Sequence, residues 1–137
     1  MLFRSPVTIP TVRMHLWLEL GESVYFGMGR AMLLDRIEEY GSLRKAAESL
    51  GMSYRAAWGK LRSTEEILRE ALVETVGTKR GGYRLTPAGR RIRDNFIAWF
   101  KAVEEAALIQ ARHIFGKDVQ SYAEREMSEH PDEMKSR

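Results

Sequence analysis

The 137-residue chain contains no cysteine, which excludes disulfides, thiolate zinc sites and cysteine nucleophiles, and agrees with a reducing compartment. Its three histidines, His15, His113 and His130, are far apart and fall on three different expected elements, so a metal site or a catalytic triad has little support. The apolar runs are only a few residues long, against the roughly 20 that a membrane span needs. The first residues show neither a basic-then-apolar signal nor a cleavage site, so a cytoplasmic protein is expected,. In the loop 78–82 no lysine is followed by a hydroxyl residue, the pair that closes a phosphate-binding loop,. Glu65-Glu66 and Glu104-Glu105 are adjacent pairs whose side chains diverge around a helix, so paired-carboxylate chemistry is not expected,. No catalytic residue, metal or cofactor is assigned, and no enzyme is expected.

What the chain does have is 44% apolar and 30% charged residues, the composition of one soluble domain with or without a helical extension,. The net charge of +3 is unevenly spread. Residues 117–137 carry four basic and six acidic side chains, whereas residues 41–93 carry 12 basic and 5 acidic ones, a local net of +7. Such a concentration of positive charge is expected of a domain that meets phosphate.

Residues 1–10, with Pro6 and Pro10, read as a flexible arm. From Val12 to Leu20 apolar and polar residues alternate, as in a half-buried strand,. Gly21-Glu22 offers a two-residue turn with glycine first, leading into a second strand at Ser23–Phe26,. From about Gly29 the period becomes helical, with Leu33, Leu34, Ile37 and Tyr40 on one face and Gly41 as the stop,. Ser42 can cap a short helix with Ala46, Ala47 and Leu50 inward, and Ser53 can cap a third helix beyond Gly51,. In that helix Tyr54, Ala57, Trp58, Leu61 and Leu68 form one stripe, which places Trp58 in the core, while Arg55, Gly59, Arg62 and Ser63 lie opposite and Lys60 flanks them,. A hairpin follows, with strands at 73–76 and 83–85 around the basic, glycine-rich loop Gly77–Gly82,. Thr86-Pro87 then starts a helix with no breaker before Gly116,. Its stripe of Ile92, Phe96, Trp99, Val103 and Ala106, flanked by Phe100, is apolar enough to need a partner, most simply the same helix of a second chain,. The polar segment 117–137 is expected to be disordered,.

The strongest local signal is the short helix, tight turn and third helix. A helix-turn-helix needs a small residue where the helices cross, a glycine in the turn and an apolar residue inside the second helix. Ala47, Gly51 and Ala57 meet these needs at offsets of four and six. The hairpin adds Lys79 and Arg80 at its tip, between Gly77 and Gly81, where two cations can approach a backbone or a minor groove,.

Several runs carry a family resemblance: Gly41-Ser42-Leu43 with Lys45-Ala46-Ala47, Leu50-Gly51-Met52-Ser53-Tyr54-Arg55-Ala56-Ala57-Trp58, Leu72-Val73-Glu74, and Arg80-Gly81-Gly82 with Leu85-Thr86-Pro87-Ala88-Gly89-Arg90. With these runs, residues 10–115 resemble the N-terminal DNA-binding domain of ModE-type molybdate-responsive transcription regulators and, more loosely, the LysR-type winged helix-turn-helix. The resemblance implies a recognition helix starting at Ser53, a wing at Lys79–Gly82, dimerisation through the long last helix and a roughly palindromic operator. Full-length members continue into oxyanion-binding domains where this sequence has a charged tail, so molybdate sensing is not carried over.

The expected fold is therefore α+β, mainly helical, a winged helix-turn-helix over 11–86 with an N-terminal β-hairpin and a dimerisation helix over 87–116. The expected activity is sequence-specific binding of double-stranded DNA by a homodimer that regulates transcription. Arg55 is the first candidate for a base edge, followed by Tyr54. Ser53 caps the helix and touches phosphate through its amide. Arg44, Lys60, Arg62, Lys79, Arg80, Gly81 and Arg84 complete the candidate contact surface, and Arg90, Arg91 and Arg93 are either a solvated face or further phosphate contacts. Two other readings stay open: an adaptor that pairs with another regulator through the long helix, and an oxyanion sensor with a site at a dimer interface.

Overall fold

The computed structural model describes residues 8–78 and 81–132. It divides into two compact units, one of Leu16–Trp99 and one of Met1–His15 with Phe100–Arg137.

In the unit of Leu16–Trp99, strands β2 (Trp17–Leu20) and β3 (Ser23–Gly27) form an antiparallel hairpin, with Leu18 opposite Phe26 and a bulge after Leu18. Gly21 takes the positive φ, 63°, that the first central position of the turn requires,. Helix α1 (Met28–Tyr40) buries Ala31, Leu33, Leu34 and Ile37 and ends on Gly41 in the left-handed conformation,. Helix α2 (Leu43–Ser49) is capped by Ser42, whose hydroxyl accepts from the Lys45 amide at 3.1 Å. Ser53 likewise accepts from the Ala56 amide at 3.0 Å and starts α3 (Tyr54–Leu68). Each cap satisfies a donor that the first helical turn leaves unpaired. Strands β4 (Val73–Thr75) and β5 (Tyr83–Leu85) form the second hairpin, with Val73 opposite Leu85.

The third helix buries Ala57, Leu61 and Thr64. Thr64 was not on the expected stripe because a hydroxyl breaks an apolar pattern. It is accommodated by donating to the Tyr25 carbonyl, which ties α3 to β3,. Trp58 departs from its expected core position: it is only half-buried, because the inward positions are filled by Ala57 and Leu61.

Helix α4 (Pro87–Phe115) starts as Thr86-Pro87 suggested, with the Thr86 hydroxyl accepting from the Gly89 amide at 3.0 Å and donating to the Ala71 carbonyl at 2.6 Å. A Cβ on Gly89 would lie 2.1 Å from the Leu72 carbonyl oxygen, so only glycine allows α4 to start this close to the preceding segment,. Phe96 is 3% exposed and meets Phe26 edge-to-face at 5.4 Å, joining the core formed by Leu33, Leu34, Ile37, Leu61 and Leu85. Its expected place in a dimer face is thereby corrected: the face of α4 that carries it is covered by this chain's own hairpin. Arg93 is also buried, with ion pairs to Glu38 at 3.1 Å, Asp94 at 2.9 Å and Asp35 at 3.7 Å. Burial alone would lower its pKa, but hydrogen bonds to Asp94 and Glu38 outweigh this and raise it,. Arg93 therefore clamps α4 to α1 and belongs to neither a solvated face nor a phosphate-contact surface.

In the other unit, the expected single strand over Val12–Leu20 is replaced by β1 (Thr11–Val12), which pairs in parallel with β6 (Gln120–Ser121). The alternating pattern spans two segments with different pairing partners, which local periodicity cannot separate. The tail, expected to be disordered, contains β6 and α5 (Tyr122–Glu129). Ser121 and Glu124 form a capping box at the start of α5, and Arg112 bonds to the Val119 carbonyl at 2.8 Å and pairs with Glu124 at 3.4 Å,. Arg13 lies 4.2 Å from the centre of the Tyr122 ring. These contacts order a segment whose composition is too polar to fold by apolar burial alone. Residues 1–7 of the expected arm and 133–137 of the tail lie outside the described residues.

Candidate nucleic-acid interface

The surface built by α2, α3 and the β4–β5 hairpin brings together most of the expected contact residues. Arg55, the second residue of α3, is exposed and makes no ion pair among the described residues. Tyr54, 38% exposed, precedes it, and the guanidinium of Arg44 on α2 lies 5.0 Å from the centre of the Tyr54 ring. Arg62 is exposed two turns further on, its guanidinium 5.3 Å from the centre of the Trp58 indole. Lys60 is half-buried, and its carbonyl accepts from Arg30 Nε at 3.2 Å. Arg84 is exposed but paired with Glu74 directly across the hairpin at 2.9 Å, which offsets its charge. Arg91 is similarly paired with Glu70 at 3.3 Å, and Arg90 donates to the Leu85 carbonyl at 3.3 Å. Lys79 and Arg80 lie outside the described residues, whereas Gly81 next to them donates to the Thr78 carbonyl at 2.8 Å.

One member of this surface was not anticipated from sequence. Tyr83, the first residue of β5, meets Trp58 edge-to-face at 5.5 Å, and Trp58 meets Tyr54 at 6.4 Å. Burial raises the Tyr83 pKa, a hydrogen bond and charge interaction with Tyr54 add to the rise, and nearby Arg62 works against it,. Beside this row a cleft of about 450 Å³ is lined by Ser42, Arg44, Lys45, Tyr54, Gly82 and Tyr83. Its cations and hydroxyls suit an anion. A tyrosine at the start of a strand carries no special sequence signal, so only the fold could place it here.

On α4, Ile92, Phe100 and Val103 are half-buried, Trp99 is 38% exposed and Ala106 is exposed. The helix also exposes Ile109, Ile114 and Phe115, the last at 72%. These three were missed because they lie beyond the stripe as read, although Ile114 follows Val103 at a spacing of three turns. A concave apolar surface with a volume of about 380 Å³ adjoins Ile92, Phe96 and Trp99 together with Leu18, Tyr25 and Phe26. Among the described residues there is no cluster of three or more histidine, aspartate or glutamate side chains placed to hold a metal ion. No described helix is long and apolar enough to cross a membrane.

Comparison with known proteins agrees with this geometry. Residues 30–90 match the family described as bacterial regulatory helix-turn-helix protein, lysR family. The chain is 48% identical over 58 residues to the molybdenum transport protein ModE of Herbaspirillum seropedicae, a match covering 41% of this chain and 22% of that protein. It is 34% identical over 102 residues to the protein of the same name from Azotobacter vinelandii, covering 68% of this chain and 36% of the relative. With the transcriptional regulator ModE of Yersinia pestis it shares 34% identity over 79 residues, covering 56% of this chain and 30% of that one. The chain thus spans between about a fifth and just over a third of the length of these relatives. Among solved structures it is similar to the DNA-binding domain of BenM in a complex with catB site 1 DNA, with a TM-score of 0.51 and 22% identity over 64% of this chain and 94% of that one. That likeness shows the fold, an α+β winged helix-turn-helix.

Proposed function

We propose that this chain, whose residues 30–90 are a LysR-type helix-turn-helix domain homologous to the N-terminal regions of ModE proteins, is a transcription regulator that binds duplex DNA sequence-specifically in the cytoplasm as a homodimer. The observation that carries this reading is the exposed N-terminal turn of α3, where Arg55 has no partner among the described residues and Arg44, Tyr54 and Arg62 surround it. A helix offered end-on in this way fits the major groove, and its first residues reach base edges. Arg55 is long enough for a bidentate contact to guanine, with Tyr54 beside it. Ser53, engaged in capping, brings the first amides of α3 toward phosphate,. Arg44, Lys60, Arg62 and the wing residues Lys79, Arg80 and Gly81 hold the backbone, while Arg84 contributes less because Glu74 already pairs with it.

Two such domains read a roughly palindromic operator when their α3 helices enter successive major grooves about one helical turn apart. Pairing through α4 supplies that spacing. Ile92, Trp99, Phe100, Val103 and Ala106 offer the apolar contacts, with Phe96 now excluded as a core residue. The cleft that suits an anion is lined by Arg44, Lys45, Tyr54 and Tyr83 of the surface proposed to meet DNA phosphate, not by the α4 face where an oxyanion sensor with its site at the dimer interface would hold its ligand. The adaptor reading gains no specific support from the geometry.

Replacing Lys79 and Arg80 together by alanine tests the wing's part in this reading. Binding to every duplex should weaken similarly, and the slope of log affinity against log salt should flatten by up to about two units. The check is a fluorescence-anisotropy titration at several salt concentrations. An unchanged slope would remove the wing from the interface.

A further inference from the structure

Tyr54, Trp58 and Arg62 follow one another at intervals of four residues, so Arg62 flanks the Tyr54–Trp58 stripe on one side of α3 instead of lying opposite it as expected,. The indole sits in the middle, with Tyr54 and Tyr83 against it edge-to-face at 86° and 81° and Arg62 at 5.3 Å. Trp58 is half-buried, as is ordinary for so large a side chain, so its exposure alone does not decide its role,. A base-stacking tryptophan needs a free ring, and this one is already contacted by two aromatic side chains and a guanidinium.

Its neighbours suggest a different task. Tyr83 begins the strand that returns from the wing tip, and its amide donates to the Gly41 carbonyl at 3.0 Å. A Cβ on Gly82 would stand 2.2 Å from that same carbonyl oxygen, so the loop end of the hairpin is pressed against the end of α1. Trp58 holds the same hairpin from the α3 side through Tyr83. Arg62, ordered over the indole by cation–π attraction, keeps fewer rotamers to lose when it meets a phosphate. Its positive charge also works against the rise in the Tyr83 pKa.

We propose that Trp58 is a positioning residue that holds Arg62 and the β4–β5 hairpin in fixed relation to α3, so that groove and backbone contacts form together. This rests on the DNA-binding reading above for its functional consequence, but the coupling of hairpin to helix exists without DNA.

The test uses the full chain with Trp58→Leu, Arg62→Ala and the double variant, titrated against a labelled duplex of random sequence over a range of salt. Arg62→Ala should flatten the salt slope by about one unit. Trp58→Leu should flatten it by about as much although it removes no charge, and the double variant should go no further. Trp58→Phe, which keeps a ring, should restore most of the slope. A Trp58→Leu slope equal to wild type, or losses that add in the double variant, would overturn the proposal. Hydrogen exchange of the free protein supplies the readout that needs no DNA. The amides of Val76 and Tyr83, which bond to the carbonyls of Gly82 and Gly41, should exchange at least about tenfold faster in Trp58→Leu while amides in the middle of α1 do not change. Tyr83→Leu, which cuts the same contact from the hairpin side, should accelerate the Val76 amide in the same way and serves if Trp58→Leu does not fold. Unchanged exchange would overturn the coupling. If the wild-type chain retains no duplex at low salt, the DNA reading fails, and the exchange data still decide whether Trp58 ties the hairpin to α3.

Discussion

Arg55→Ala is expected to bind its preferred duplex about 10- to 100-fold more weakly while its affinity for unrelated duplexes falls far less. The magnitude follows from the roughly 1–3 kcal/mol by which one bidentate side-chain contact discriminates between bases. The asymmetry follows from position. Arg55 lies in the first turn of α3, exposed and free of ion pairs among the described residues, whereas Arg62 is held over Trp58. A backbone contact is lost equally on every sequence, while a base contact is lost only where its base is present. Competition titrations against a preferred and a scrambled duplex measure both losses. Equal losses on the two would make Arg55 a phosphate contact and move base reading to Tyr54 or to another residue.

Phe96→Ala should cost about 3–5 kcal/mol of folding stability, the usual range for deleting a buried aromatic ring. The ring is 3% exposed and touches Phe26 at 5.4 Å and Trp99 at 5.6 Å, so its removal leaves a cavity between the first hairpin and α4. Trp99→Ala should do the opposite, costing less stability and more dimer affinity, because Trp99 presents a large exposed surface. Chemical denaturation and sedimentation of both variants separate the two effects. A Phe96→Ala protein of normal stability that sediments as a monomer would return Phe96 to the interface.

The helix-turn-helix was legible because its signals are local. Ser42 and Ser53 act as caps, Gly41 and Gly51 take positive φ at the helix ends, and Ala47 and Ala57 are buried, all determined within a few residues of chain. The charge concentration also survives in three dimensions, with Arg44, Arg55 and Arg62 exposed on α2 and α3. What escaped the sequence depends on distant partners. The β1–β6 pairing joins residues more than a hundred positions apart, and no periodicity reports it. Helical spacing places Phe96 and Trp99 on one stripe but cannot tell a stripe covered by its own chain from one covered by a partner. Trp58 was misplaced for a related reason, since neighbouring Ala57 and Leu61 suggest a core while Tyr83, 25 positions away, decides the site. The order of the tail was missed although Ser121 and Glu124 stand at the capping-box spacing, because the polar composition of the segment outweighed that signal,.

Selection of bound duplexes from a random pool at physiological salt decides whether this chain reads DNA sequence as a symmetric pair. A homodimer that reads DNA through α3 should enrich an inverted repeat whose half-sites lie about one helical turn, roughly 10 base pairs, apart. Recovery of a pool with no common sequence, or of no DNA at all, would contradict that reading.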